Sequence, residues 1–370
     1  MRILMTVNAA WNIWNFRRPV VEALLADGHQ VIIAAPVDNS VADLEALGCK
    51  FIPLEMNAKG LNPLDGISMI GQFRRIIRSA GIELVLSYTI KNNLFGAIAA
   101  KSLRIPFIPN VTGLGTAFLS GRLLQFTAEQ LYRTAFRSLP VVFFQNEDDL
   151  ALFLERGLVQ IDQAKILPGS GIDLDRFPAT PFPIGDETKK FLMISRLLRD
   201  KGVVEYVDAA RMIRQRHPGT QFQLLGPLGS ENRTSLHLDR VKAWVDEGII
   251  DYLGTTDDVR PFIERASCVV LPSYREGAPR TLIEAAAMAR PIITTDVPGC
   301  RSVLDSGISG YLCKARSASS LAASIERFLS LSDEAQAQMG LSGREKMVSE
   351  FDQAIVVQAY RSAIAGTARN

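Results

Sequence analysis

Short apolar runs rich in β-branched residues alternate with stretches of helical periodicity along this 370-residue chain, in two successive series. In the first, runs at 2–7, 30–35, 51–54, 84–87, 107–111 and 141–144 alternate with helical stretches at 17–26, 41–47, 67–79, 93–101, 123–137 and 147–156. The second has runs at 191–194, 221–225, 250–253, 268–271 and 291–294 between helical stretches at 206–216, 236–246, 259–264 and 281–288. It closes in helical stretches at 317–330, 333–350 and 354–365. Runs apolar on both faces read as buried parallel strands, because a strand with one wet face would alternate apolar and polar residues. Parallel neighbours need crossover connections, which the intervening helices supply. The expectation is α/β, two doubly wound parallel sheets, and the length agrees, since one core rarely organises so long a chain.

Charge excludes some partners. The formal net charge is +2, too small for a dedicated nucleic-acid binder. Residues 1–140 nevertheless hold 14 Lys and Arg against 9 Asp and Glu, so the first half is basic, as a surface that meets anionic lipid would be. The segment 120–137 carries apolar residues at helical spacing together with Arg122, Arg133 and Arg137. It reads first as a core helix, with an interfacial helix as the alternative. Cys49, Cys268, Cys300 and Cys313 are scattered without metal-ligand spacing, a usage that suits a reducing cytoplasm. The opening 1–7 is too short for a signal peptide, and no run approaches the roughly 18 apolar residues of a membrane span. The chain is therefore expected to be cytoplasmic, peripheral to a membrane at most.

The most informative stretch is Y-R-E-G-A-P-R-T-L-I-E at 274–284, continued by A-A-A-M-A-R-P-I-I-T-T-D-V-P-G-C-R. It follows the strand-like run 268–271, and a helix should begin near Pro279 or Thr281, where proline is tolerated and helix formers follow. Glu276 then sits in the loop at the carboxyl end of a strand, where open α/β sheets bind ligands. Glu284 lies about one turn into the helix. The backbone N–H groups around Gly277 and Ala278 are ready phosphate donors. Either glutamate alone reads as a solvated residue; the whole string does not. The loop after the first strand has no G-x-G-x-x-G, which counts against an NAD or FAD half-domain.

The E-x7-E pair, the Gly-x-Pro inside it and the A-R-P-I-I-T-T-D-V-P-G that follows resemble the donor-site signature of retaining glycosyltransferases of the GT-B fold, family 4. The bacterial members that extend lipid-linked oligosaccharides are the nearest in pattern. S-R-L-L-R-D-K-G at 195–202 is similar to the family's S/G-R-L-x-x-x-K-G loop, and K-I-L-P-G-S-G-I-D-L-D-R-F at 165–177 to its closing turn before an interdomain linker, here 178–183. The resemblance implies two Rossmann-like domains facing a cleft: an acceptor domain at 1–176, a donor domain at 187–350, and a last helix, 351–370, crossing back. It assigns Arg196 and Lys201 to the pyrophosphate, Glu276 to the transferred sugar, and Glu284 to the ribose hydroxyls, with Gly277, Ala278 and Pro279 lining the diphosphate. Gly226, Pro227, Leu253 and Thr255 lie where the base is expected. Arg280 receives no role, and Asp258 is read as structural.

In the first half, Asn8, Asn15 and Arg17 are expected in the loop after the first strand. Lys91, Thr112 and Gly113 follow later strands, and the string V-T-G-L-G-x-x-F at 111–118 is similar to lipid-carrier transferases. Many family members place a histidine near there and this chain has none. No first-half carboxylate stands out as a nucleophile, so the expected mechanism is front-face, the departing phosphate oxygen helping to deprotonate the acceptor. No cofactor or metal is implied, because fixed cations do the metal's work. The resemblance implies a nucleotide diphosphate sugar as donor, UDP first, and a lipid-linked saccharide as acceptor, with the enzyme peripheral at the inner face of the plasma membrane. A non-hydrolysing UDP-sugar 2-epimerase and a catalytically silent nucleotide-binding subunit are the alternatives.

Overall fold

A computed structural model describes residues 1–56, 63–114, 122–185, 188–228 and 234–367. Its strands form a seven-stranded and a six-stranded sheet, and every pairing within them is parallel. The chain divides into two compact units, Met1–Gly171 with Gln353–Asn370, and Ile172–Asp352. This boundary falls a few residues before the one read from the sequence. The segment 178–183 is bound into the second unit because the fully buried Arg290 donates to the carbonyls of Thr180 and Pro181 at 2.9 and 2.7 Å.

The first sheet comprises β1 (Arg2–Thr6), β2 (Gln30–Ala35), β3 (Lys50–Pro53), β4 (Leu84–Tyr88), β5 (Phe107–Val111), β6 (Val142–Phe144) and β7 (Ala164–Ile166). They lie in the order β3-β2-β1-β4-β5-β6-β7. Successive residues of one strand enter different cores: Leu4 packs on one face, Ile3 and Met5 on the other. Helices covering both faces are what a strand apolar on both sides requires. The last helix, Gln353–Thr367, lays Val356, Tyr360 and Ile364 into this core. Gly171 meets its start so closely that an added Cβ would stand 2.5 Å from Gln353 Cα.

The second sheet comprises β8 (Lys190–Ile194), β9 (Gln221–Leu225), β10 (Asp251–Tyr252), β11 (Cys268–Leu271), β12 (Ile292–Thr295) and β13 (Gly310–Cys313). Its order is β10-β9-β8-β11-β12-β13. The direction of winding therefore reverses between β8 and β11, and the crevice beyond the carboxyl ends of those two strands is the natural binding position of such a sheet.

Two elements differ from the sequence reading. The segment after β1 is not a loop, since Ala10–Phe16 is helical, burying Ala10 and Ile13 one turn apart and receiving its first backbone contact when Trp11 N donates to Asp38 Oδ2 at 2.8 Å. β13 was not anticipated. Its sequence opens on a glycine, and Gly310 is there because a Cβ would lie 2.1 Å from Ile292 O on the neighbouring strand.

Candidate functional site

The reversal point of the second sheet is closed by two loops fastened to each other. After β8 the chain makes a short 3-10 turn, Arg199–Lys201, and enters the helix Val203–Arg216 through Gly202 at φ +76°. A side chain at Gly202 would place its Cβ 2.1 Å from Pro272 O, so only glycine lets this turn lie against the end of β11. Tyr274 N donates to Asp200 O at 2.9 Å and completes the fastening.

That contact delivers Lys201 to Glu276. Lys201 Nζ lies 2.5 Å from Glu276 Oε1, with the two side chains 21% and 14% exposed. Ser273 Oγ donates to the same carboxylate oxygen at 2.7 Å, and Glu276 N donates to Pro298 O at 3.2 Å. A cation and an anion from neighbouring strand ends thus face the crevice at one point. Cys300 lies beside them, but burial, with Glu276 adding to it, pushes its thiol up to about 12. A thiol held neutral in this way is inert as a nucleophile.

Glu276 is held from behind by Gly299 at φ +78°, where an added Cβ would approach Glu276 O to 2.3 Å and Gly277 O to 2.5 Å. We expect Gly299→Ala to cost about 2 kcal/mol through backbone strain and collision, a Tm fall of roughly 4–8 °C. Gly248→Ala is the control, because Gly248 has a similar φ of +71° but nothing within 4 Å. It should cost about 1 kcal/mol. Equal losses by calorimetry would mean that the turn is not held by this contact.

Beyond Gly277 and Ala278, Pro279 precedes the helix Arg280–Ala287. Glu284 is buried in it, 7% exposed. Burial raises its pKa above the usual carboxylate range, Arg280 being the strongest opposing influence. Arg280 Nε donates to Glu284 Oε1 at 2.7 Å. The base-side residues stand at the next strand ends in line: Gly226 N after β9 donates to Gly254 O after β10 at 2.8 Å, and Leu253 N to Leu224 O at 2.8 Å. Pro227 O accepts from Leu197 N at 3.1 Å. Pro227 and Thr255 are exposed, as is Arg196, whose side chain has no hydrogen-bonding or ionic partner among the described residues. All the donor-side residues read from the sequence therefore stand at the carboxyl ends of β10, β9, β8 and β11, four consecutive strands. Asp258 pairs with Arg260 at 2.8 Å.

The first-unit residues gather at the carboxyl ends of β1, β4 and β5, where that sheet also reverses. Asn8 Oδ1 accepts from Asn12 Nδ2 at 2.7 Å, and Asn15 Nδ2 donates to Trp11 O at 3.0 Å, so both serve the helix Ala10–Phe16. Arg17 is buried rather than in an open loop, its guanidinium 4.8 Å from the centroid of the Tyr88 ring. Lys91 lies in the first turn of the helix Ile90–Ser102, half-buried, with burial lowering its pKa against the pull of Asp65. Thr112 and Gly113 directly follow β5. Residues 115–118 of the V-T-G-L-G-x-x-F string, and Ser120 and Gly121 of the basic segment, lie outside the described residues. Asn92, Asn93 and Asn110, which the sequence places at these same strand ends, are buried and bonded to protein: Asn92 Nδ2 donates to Thr6 Oγ1, Asn93 Nδ2 to Asn110 O, and Asn110 Nδ2 to Tyr360 Oη, at 2.7, 2.9 and 3.1 Å. Among the described residues no cluster of three or more metal-ligating side chains occurs, and no helix is long and apolar enough to cross a membrane.

Two family models match the chain, one described as glycosyl transferase 4-like over residues 2–146 and one as glycosyl transferases group 1 over 179–346. The N,N'-diacetylbacillosaminyl-diphospho-undecaprenol alpha-1,3-N-acetylgalactosaminyltransferase of Campylobacter jejuni is 28% identical over 380 residues, 97% of each chain. Among solved structures, the sucrose-phosphate synthase of Thermosynechococcus elongatus matches with a TM-score of 0.79 at 20% identity, covering 99% of this chain and 100% of that one. Anabaena Alr3699/HepE in complex with UDP-glucose matches with 0.78 at 16%, covering 99% and 100%. At these identities the two structures establish the fold.

Proposed function

We propose that this chain, which belongs to the glycosyl transferases group 1 and is a glycosyltransferase of the GT-B fold, moves a hexose or N-acetylhexosamine from a UDP-sugar to a lipid-linked saccharide with retention of configuration. The observation that carries the reading is the Lys201–Glu276 pair at the β8/β11 reversal, with buried Glu284 on the adjoining helix. The second unit takes the donor. Its diphosphate gains negative charge as the glycosidic bond breaks, and a fixed cation there stabilises the transition state more than the ground state. Lys201, joined by the exposed Arg196, supplies that charge without a metal ion. The Gly277–Ala278 turn leads to a helix start, a position where backbone N–H groups suit phosphate oxygens. Glu276 binds hydroxyls of the transferred sugar, and Glu284 accepts from the ribose. The first unit takes the acceptor.

The departing phosphate oxygen, rather than a protein carboxylate, deprotonates the acceptor hydroxyl on the face it leaves. UDP as the nucleotide is supported by the UDP-glucose complex of the Anabaena neighbour, and a lipid-linked acceptor by the name of the Campylobacter relative. A lipid-linked acceptor and the basic first half support a peripheral position at the inner face of the plasma membrane.

The test is release of UDP from UDP-sugars with and without a polyisoprenoid-diphosphate saccharide, followed by assignment of the new anomeric centre by NMR. Acceptor-dependent release with the donor's configuration kept supports the reading. Conversion of the donor without any acceptor would make the chain an epimerase or hydrolase, and inversion at the new linkage would rule out the front-face route.

A further inference from the structure

Glu284 is held by a contact that sugar transfer does not by itself require. Arg280 opens the helix and Glu284 follows one turn later, so the two side chains share a face. Arg280 Nε engages Oε1 at 2.7 Å. The other oxygen, Oε2, has no hydrogen-bond partner among the described residues. A carboxylate this deeply buried reverts to its neutral form unless a cation faces it, and a neutral carboxyl is a poorer acceptor than a carboxylate.

The charged groups around it come from three elements. Arg280 is on its own helix, Arg176 precedes β8 and favours the charged form, and Asp258 before the helix Arg260–Arg265 opposes it. Asp258 is already paired with Arg260. Arg344, on the packed helix Asp333–Glu350, donates to the carbonyls of Phe177 and Ala287 instead. Arg280 is therefore the cation in direct contact.

We propose that Arg280 is a positioning residue that keeps Glu284 ionised and fixes its Oε1, so that Oε2 is presented to the vicinal hydroxyl pair of the donor's ribose. The proposal rests on the donor reading for the identity of the ligand, but not for the state of Glu284. Donor binding then carries a proton linkage. It is full where Glu284 is ionised and is lost as pH falls through its raised value, and losing Arg280 moves that loss toward neutrality.

The experiment has two arms. In the ligand-free protein, the side-chain carboxyl 13C resonance of Glu284, assigned with Glu284→Gln, is titrated in wild type, Arg280→Gln and Arg280→Lys. In the second arm, Kd for UDP and for 2′,3′-dideoxy-UDP is measured by calorimetry from pH 5.5 to 8.5. We expect the Glu284 midpoint to rise by about one pH unit or more in Arg280→Gln and to lie between the two in Arg280→Lys. UDP affinity should fall about tenfold or more at pH 6 and less at pH 8.5, while the dideoxy nucleotide shows little pH dependence. Should Arg280→Gln fail to fold, Arg280→Lys decides alone: a midpoint above wild type supports the proposal and one equal to it overturns it. An unmoved midpoint in a folded Arg280→Gln overturns it, as does an equal pH dependence for UDP and the dideoxy nucleotide. A shifted midpoint in a protein that binds no UDP at any pH would uphold the role of Arg280 on Glu284 and sink the donor reading.

Discussion

Lys201→Ala is expected to lower kcat about a thousandfold, roughly 4 kcal/mol of transition-state stabilisation, the scale seen when one fixed donor to a developing anion is removed. Lys201 is delivered by a turn that only Gly202 permits, and it meets Glu276 from the adjacent strand end at 2.5 Å. The ammonium is therefore placed before substrate arrives. On the proposed reading it contacts the diphosphate in the bound nucleotide as well as in the transition state, so UDP affinity should fall too, by about tenfold or more for a charge-assisted contact. Steady-state kinetics together with UDP calorimetry checks both. A variant with normal kcat would remove Lys201 from the chemistry.

Glu276→Ala is the second large effect, and it should differ in kind. On the proposed reading Glu276 contacts the transferred sugar and aims Lys201, so kcat/KM for the donor is expected to fall by about a thousandfold. UDP lacks the sugar, and its diphosphate no longer competes with Glu276 for the ammonium, so UDP should bind as well as to wild type or better. The double variant Lys201→Ala/Glu276→Ala should lose little more than the worse single variant, because residues acting as a unit are not additive. Parallel loss of UDP binding and turnover in Glu276→Ala, or full additivity in the double variant, would show two independent roles rather than one joint device.

What could be read from the sequence followed from local chemistry. Strands such as 268–271 are apolar on both faces and end at a proline, and the two glutamates were visible because the loop and the first helical turn have fixed lengths. The i,i+4 spacing of Arg280 and Glu284 was legible too, yet spacing alone does not separate a buried ion pair from a solvated one; burial does. Other parts depend on contacts between distant residues. Asn110 meets Tyr360 across 250 positions, and nothing local to either announces it. Gly310 begins β13 because of a neighbouring strand's carbonyl, and Gly299 holds the Glu276 turn from outside its own loop. The helix Ala10–Phe16 has no side-chain cap and is too short to show helical periodicity, so it read as loop.

The proposed function requires a nucleotide diphosphate site at the end of the second sheet, with Glu284 on the ribose. Thermal unfolding with UDP, GDP and ADP, on wild type and Glu284→Ala, tests it most directly. A ligand bound only to the folded state at a hundredfold excess over Kd adds about 2.7 kcal/mol, or roughly 5–10 °C for a unit of this size. A UDP-selective rise of that order is expected in wild type, and its loss in Glu284→Ala. No rise with any nucleotide, or an equal rise in the variant, would contradict it.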